Sequence, residues 1–384
     1  MKSNLAAFLV LFQFLALPSF GAERLTLSLA KDRVVNDNIS VSIAYEKYVM
    51  AQNQARVKTL QLLPSFSIDI LLFDYQYLVL RSIIPEPQRF FDAAASKDLA
   101  VAADINQTIV KKNLLEDLEK NYFLHQYHEE MISTLGEELE IRNQIAARSQ
   151  EAYDLGSIDF AEYYSTQRDV INAKTQLVNG KEMLKAEEFA LKLILQVDNN
   201  EDLELEPESF YNAGIGFPES VQDAMTIAVE NSKEVDQFAY LISAAKKTKR
   251  GVAVSWISWG GVGFDYFARV SIAKHEVQKI EHERTKTVYE TKNQIAAQYE
   301  TIAKHQEKMA LQAKLLEMSE TEYARALANY DDLLGTFIQV KKAELNLLVA
   351  KREQRRLQYE LELKYIKLKR TIGAYMITNQ IPRA

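Results

Sequence analysis

His125 and His128 stand three residues apart with Glu129 beside them, so a helix would put both imidazoles on one face, as the start of a metal site. A third ligand would have to come from elsewhere, and no motif supplies one; the group reads as a solvated helix face. His275 and His282, seven apart, read the same way. Gly260 to Gly263, "GGVG", lacks the strand–helix context and the spacing of a nucleotide fingerprint. There is no phosphate-binding loop, nucleophile elbow or zinc motif. The residues therefore assign no catalytic, cofactor-binding or metal position and no cofactor, and argue against an enzyme.

Function must then come from long elements packed side by side. The chain of 384 residues is 47% apolar and 26% charged, with seven prolines. Beyond Pro18 the prolines stand at 64, 85, 87, 207, 218 and 382, leaving two proline-free windows, 88–206 and 219–381, rich in Ala, Leu, Glu, Lys and Gln. In the second window Val288, Ile295, Ile302, Met309, Leu316 and Tyr323 recur every seventh position. Such a repeat favours a left-handed supercoil against a neighbour. The companion row, with Tyr299 and Ala313 but also Lys292 and Gln306, is too polar for a two-stranded zipper and suits a bundle or cylinder. Helices are expected over Asp92–Tyr153 and Asp265–Tyr323, each roughly 90 Å long, with returning helices over 159–195 and 329–372. Net charge is −7 and no basic patch carries interleaved aromatics, so no nucleic-acid partner is expected. Lys351-Arg352 and Arg355-Arg356 alternate with Glu and hydrophobics and read as a solvated face.

Lys2, the apolar stretch Leu5–Leu17 and the small residues around Gly21-Ala22 have the layout of a secretory signal peptide over 1–22. No cysteine occurs, so the exported protein would hold together by packing alone. No later segment approaches 18 consecutive apolar residues, so any membrane insertion would use strands.

The windows read as two tandem copies. Asn38 has a counterpart in Asn231, Phe91-Asp92 in Phe264-Asp265 (each Asp placed to cap a long helix), and Tyr153-x-x-Gly156 in Tyr323-x-x-Ala326. The organisation expected is a first repeat over 23–195 with a short β segment at 65–84, an acidic linker over 196–219, a second repeat over 220–373 and a tail over 374–384.

These landmarks, in order, resemble the TolC-type outer-membrane efflux family over nearly the whole mature chain. "NISVSIAYEKYVMAQNQARVKTLQLLP" (38–64) matches the opening, with Ile39 where proline is usual, and "PQRFFDAAASKDLA" (87–100) the entry to the long helix. "YDLGSIDFAEYYSTQRDVINAKTQL" (153–177) and "YARALANYDDLLGTFIQVKKAELNL" (323–347) match the two tips, with Ala326 where glycine is usual. The resemblance implies a mainly α fold: long antiparallel helical hairpins in two tandem repeats, forming an α-helical barrel as a homotrimer, with few short β-strands. It implies a passive exit duct in the outer membrane for small molecules or proteins, driven by an inner-membrane pump through a periplasmic adaptor protein. Tyr153, Gly156, Tyr323 and Ala326 would then mark adaptor-contacting tips. Glu162 and Asp332, six past each tip position, would be the aperture acids, with an ordinary acid near a helix N-terminus as the alternative. Gly156 suits a turn with φ > 0, with Ser157 or Asp159 capping the next helix; Ala326 suits it less, so the second tip is expected to be tighter or nearly continuous.

Landmark spacing tests the membrane end. From opening Asn to capping Asp the copies run 54 and 34 residues, whereas from Asp to tip Tyr they run 61 and 58. About twenty residues are missing where the family places strands, and a spanning hairpin needs roughly that many. Residues 65–84 could form two short strands; 252–264 could form one at most. The chain reads either as an outer-membrane duct with a reduced membrane portion, or as a periplasmic helical scaffold that forms no full pore. In both, Trp256 and Trp259 could sit at a lipid interface or cap the core where helices end.

Overall fold

Seen in a computed structural model, the protein is described over residues 24–63, 85–210, 216–256, 263–331 and 336–373. The signal-peptide segment 1–22, the hairpin segment 65–84 and the tail 374–384 lie outside the described residues. Proline-free runs of good helix formers become eight α-helices among the described residues: α1 (Leu27–Asp37), α2 (Ile39–Leu60), α3 (Pro87–Asp154), α4 (Phe160–Leu195), α5 (Val221–Glu230), α6 (Lys233–Val254), α7 (Tyr266–Asp331) and α8 (Phe337–Ile372). The 68 residues of α3 and 66 of α7 make rods roughly 100 Å long. Apart from one isolated parallel bridge between Leu25 and Leu205, the described residues hold no strand. None of their helices is long and apolar enough to cross a membrane.

Two boundaries differ from expectation. Asp92 does not cap the first long helix: Pro87 begins it, its fixed φ already helical and its missing N–H not needed there. Asp92 lies inside α3, where burial pushes its carboxyl above the ordinary range against the opposing pull of Lys58. The second long helix does not end at Ala326. "ARALANYD" contains no breaker, and α7 continues to Asp331, so the returning helix starts at Phe337 rather than 329. Asp265 does stand at the start of α7, where its carbonyl accepts from Arg269 N at 2.9 Å.

The helices pack as a single wall. On one edge α2 continues α4 end to end. Asn38, the N-cap of α2, donates Nδ2 to the Ile194 carbonyl in the last turn of α4 at 2.7 Å. Next comes α3, which packs against α2 and α4 on one side and α6 and α8 on the other. There α6 continues α8: Asn231 donates Nδ2 to the Ile372 carbonyl at 3.4 Å, and Ser232 caps α6. The opposite edge is α7, packed on α8, α6 and α5.

The core is a belt halfway along the rods. Leu25, Ala30 and Val34 meet Leu118, Leu191 and Leu195, fixing α1 across α3 and α4. Ala224 and Ala228 of α5 meet Ile295, Ile302, Leu368 and Ile372 in the corresponding way. Between them lie Leu27, Tyr122, Phe123, Tyr359 and Ile366. The linker seals this belt. Leu25 N bonds Glu204 O at 2.8 Å, the Gln126 amide donates to Glu208 O at 3.0 Å, and the Tyr122 hydroxyl shares its one proton between the Leu25 carbonyl, at 3.0 Å, and that of Glu206.

Polar contacts set the register along the seams. Between α3 and α8, Glu119 meets Lys369 at 3.1 Å, Glu130 takes a two-pronged bond from Arg355 at 2.6 and 2.8 Å, and Glu138 accepts from Arg352. Arg352 and Arg355 each bridge the two halves of the chain; Arg355, 44% exposed, does so on a face open to solvent, as expected, whereas Arg352 is largely covered at the seam, and Arg356 pairs with Glu353 and Glu360 on its own helix. Between α7 and α8, the buried row Gln298, His305 and Gln312, itself spaced by seven, donates to or meets Thr371 Oγ1, Leu357 O and Ala350 O at 2.8–3.0 Å. Ile295 and Ile302 are buried as the seven-residue repeat requires, and Val288, Met309, Leu316 and Tyr323 are half-buried.

Glu119 is fully buried, 0% exposed, and also meets Lys31 of α1 at 2.6 Å. Its replacement would remove the one buried carboxylate that Lys31 and Lys369 share. Glu119→Ala is expected to cost about 3–5 kcal/mol, whereas Lys304→Ala, from an exposed pair within α7, stays within about 0.5 kcal/mol. Chemical denaturation of the purified protein distinguishes the two.

Candidate functional site

The α3–α4 tip is built by a helix end that terminates itself. Gly156 takes φ +68°, its N–H bonds Tyr153 O at 2.9 Å, and Ser157 N reaches back to Ala152 O at 2.8 Å. This is the Schellman closure, which needs a residue free of Cβ strain. Asp159, rather than Ser157, caps α4 by accepting from Glu162 N at 2.8 Å. The turn brings four aromatics together. Tyr153 stacks on Tyr163 with ring centroids 5.1 Å apart, Phe160 on Tyr164 at 5.8 Å, and Tyr153 meets Phe160 edge-on at 6.2 Å. Phe160, Tyr164 and Leu155, the last 81% exposed, face outward. The charged residues over 148–162 are one Arg and four acids, an acidic rim around an apolar tip.

The other tip residues are not brought into such a turn. Tyr323 and Ala326 are half-buried inside α7, roughly 12 and 8 Å short of its last residue along the axis. Ala326 lines an open groove of about 960 Å³ between α7 and α8 with Met318, Arg325, Lys342 and Ala343. A capping box at Thr336 and Gln339 starts α8. Of the acids, Asp332 lies outside the described residues. Glu162 is exposed in the first turn of α4, beside a cleft of about 220 Å³ that it shares with Arg142, Asp169 and Lys342. Trp256 follows the end of α6 and is 56% exposed; Trp259 lies outside the described residues.

His125 and His128 are not on a solvated face. Both are buried in the belt between α3 and α4, and His128 Nδ1 meets Glu187 at 2.5 Å. His125 Nδ1 has no hydrogen-bond partner. No cluster able to hold a metal occurs among the described residues. The signal for this burial was present in the sequence only as the apolar neighbours Tyr122 and Phe123, one turn away. The other feature missed was structural, the interhelical row Gln298, His305 and Gln312, visible as a seven-residue spacing but polar, and so not read as a seam.

The sequence matches no known family profile and no curated protein. The fold has many likenesses among solved structures. CusC, whose crystal structures concern folding and transmembrane channel formation, matches with TM-score 0.72 at 14% identity, covering 90% of this chain and 92% of its own. The CmeC outer-membrane channel of Campylobacter jejuni matches with TM-score 0.71 at 12% identity, covering 90% and 85%. The outer-membrane protein VceC of Vibrio cholerae matches with TM-score 0.69 at 12% identity, covering 90% and 96%. The chain thus has the fold of the TolC-type outer-membrane channels, with the mainly α architecture of long helical hairpins expected from the sequence.

Burial outweighs the nearby Glu129, Glu187 and Glu188 and holds the His125 imidazole below its ordinary pKa. The unfolded chain therefore binds the proton more readily, so this contribution to stability is whole above about pH 6.5 and is lost as pH falls below it. His125→Gln is expected to flatten the fall in melting temperature between about pH 7.5 and about pH 5.5. An unchanged pH profile in thermal melts would contradict the assignment.

Proposed function

We propose that three copies of this chain close into a hollow helical cylinder that serves as a passive exit duct of the bacterial envelope, at the outer membrane. One observation carries this: among the described residues the wall of a single chain has two apolar edges that no described element covers. On the α2/α4 edge, Ile39, Ile43, Met50 and Val57 fall within roughly 40° of one another around α2. Phe160, Ile171, Val178, Phe189 and Leu193 form a similarly narrow exposed stripe along α4. On the α7 edge, Tyr289, Leu311, Leu315 and Met318 fall within roughly 80°. Two unlike edges of matching length make a head-to-tail interface, and such interfaces generate rings when the rotation closes. The likeness to outer-membrane channels supports the same reading, and the paired Asn38–Ile194 and Asn231–Ile372 bonds support two tandem repeats.

In this assembly the acidic aromatic tip around Tyr153 and Gly156 faces the periplasmic adaptor and, through it, an inner-membrane pump. Glu162 and Asp332 act near the aperture; Tyr323 and Ala326, set back within α7, form the flank of the second tip rather than its apex. The cargo is small molecules or proteins. The leader over 1–22 exports the chain.

A second reading, a periplasmic scaffold without a full pore, has one observation in its favour: only the eleven residues 255–265 join α6 to α7. Mass photometry and planar-bilayer recording separate the two. The wild-type protein is expected at about three times the chain mass of 43.9 kDa, less its leader, with discrete conductance steps. Val178→Lys with Met318→Lys, one charge on each edge, is expected to leave monomers and no steps. A wild-type protein that remains monomeric at micromolar concentration would refute the cylinder; trimers without conductance would favour the scaffold.

A further inference from the structure

The two long hairpins match residue for residue. α3 ends at Asp154 and α7 at Asp331, α4 starts at Phe160 and α8 at Phe337, and α4 ends at Leu195 and α8 at Ile372. One offset of 177 residues therefore maps the first hairpin on the second. It places His305 at the position of His128, and Ile302 at that of His125. His128 and His305 are both buried, each 26 residues before the end of its helix. Each faces a carboxylate of the returning helix, Glu187 for the first and Glu360 for the second.

Hydrogen-bond chemistry separates the two. His128 Nδ1 stands 2.5 Å from Glu187, and an ionised carboxylate only accepts, so the neutral ring already carries its proton on Nδ1. His305 is held the other way round. Its Nε2 stands 2.8 Å from the Leu357 carbonyl, also an acceptor, so the neutral ring carries its proton on Nε2. Nδ1 is then a bare acceptor facing Glu360 Oε2 at 3.8 Å, too far for a hydrogen bond. Two acceptors oppose each other across the α7–α8 seam. A proton on Nδ1 turns that contact into an ion pair with a charge-assisted bond.

The surroundings leave Glu360 as the group that answers such a proton. On α8, Arg356 binds Glu353 and the Oε1 of Glu360, so Oε2 can turn to His305 without releasing the arginine. Lys364 stands near Glu360, and Lys308 of α7 near Lys364. Also on α7, Lys304 pairs with Glu300 and Glu307 is exposed. α3 brings Tyr127 close to Arg356 and Glu360. α5 and the segment before it meet the seam through Phe217, Pro218 and Ala224, against Tyr365, Tyr299 and Ile302; their acids Glu219, Asp223 and Glu230 are exposed. α6 starts beyond the end of α8, which lies fifteen residues past Leu357, and does not reach this level.

We propose that His305 and Glu360 form a proton-operated clamp. In acid a bond from His305 Nδ1–H to Glu360 Oε2 ties α7 to α8, whereas His128 and Glu187 tie α3 to α4 with or without the added proton. Histidine suits the task because its ring changes charge between about pH 5 and 8. The first hairpin makes no new bond in acid; it holds the buried His125, whose Nδ1 has no partner, where the second has Ile302. The clamp lies seven residues from Gln312, whose bond to Ala350 O is, among the described residues, the last polar tie before the α7–α8 groove opens at Lys314. Acid therefore adds a tie at the root of that groove. Because both partners belong to one chain, the clamp does not depend on how many copies assemble.

Hydrogen–deuterium exchange of the full-length mature protein, read by mass spectrometry at about pH 7.5 and about pH 5.5 and corrected for intrinsic rates, tests the clamp. Peptides covering 298–312 and 350–364 should gain roughly 10-fold protection in acid, the fold-change of one charge-assisted bond. Peptides covering 121–135 and 180–194 should show no gain. His305→Gln keeps a donor for Leu357 O and takes up no proton, so its protection should be the same at both pH values. Glu360→Gln, at a position 37% exposed, should also abolish the gain while circular dichroism stays unchanged, and it decides the matter should His305→Gln fail to fold. His128→Gln should leave the gain whole. Wild-type protein without a gain in acid would overturn the clamp, and so would a gain that survives either His305→Gln or Glu360→Gln. Monomers that show the gain would support the clamp and defeat only the duct reading.

Discussion

The antiparallel seam between α3 and α8 holds the two halves of the chain in one register. An apolar stripe on a rod roughly 100 Å long can slide by a heptad at little cost, because one turn of Leu and Ala packs much like the next. Ion pairs and hydrogen bonds cannot slide. Glu119 with Lys369, Glu130 with Arg355 and Glu138 with Arg352 each require their partner at one height, and a slip would move the buried carboxylates of Glu119 and Glu138 away from the cations that face them across the seam. Burial pushes the Glu130 carboxyl up, but the Arg355 fork and the Tyr359 hydroxyl together pull it below its ordinary value. The buried amides of Gln298 and Gln312 and the imidazole of His305 serve the α7–α8 seam in the same way.

With register set, the belt does the rest of the folding. The short helices α1 and α5 and the linker cross the rods where Tyr122, Phe123, Tyr359 and Ile366 are buried, and Glu119 ties α1 to both halves through Lys31 and Lys369. Away from the belt the rods have, among the described residues, neighbours only within the wall, so two long apolar edges remain on its surface. Stability in the middle and openness at the edges are consequences of one arrangement, and together they suit a chain completed by copies of itself.

The molecule is also polarised along its length. One end has an acidic, aromatic turn closed by Gly156; the other has exposed aromatics. Each end is made of helix termini, and leaves large apolar side chains exposed, Leu155 and Phe160 at one and Phe264 and Phe267 at the other.

Much of the fold was legible in the sequence because helix length, proline-free windows and a seven-residue repeat follow from local chemistry. The turn at Tyr153-x-x-Gly156 was legible for the same reason: only a residue without a Cβ takes φ +68° freely. The matching turn at Tyr323-x-x-Ala326 was misplaced, since alanine gives a helix no reason to stop and α7 ran on to Asp331. Tertiary structure alone decided which charges face a partner. Arg352 and Arg355 read as a solvated face, and Arg355 is exposed, but alternation with Glu looks the same on a wet face and on a polar seam; only the approach of α3 turned both into bridges. His125 and His128 were placed wrongly for the same reason, as the helix that covers them, α4, lies some sixty residues away in sequence. Local pattern determines where a helix runs; which of its faces is wet depends on what packs against it.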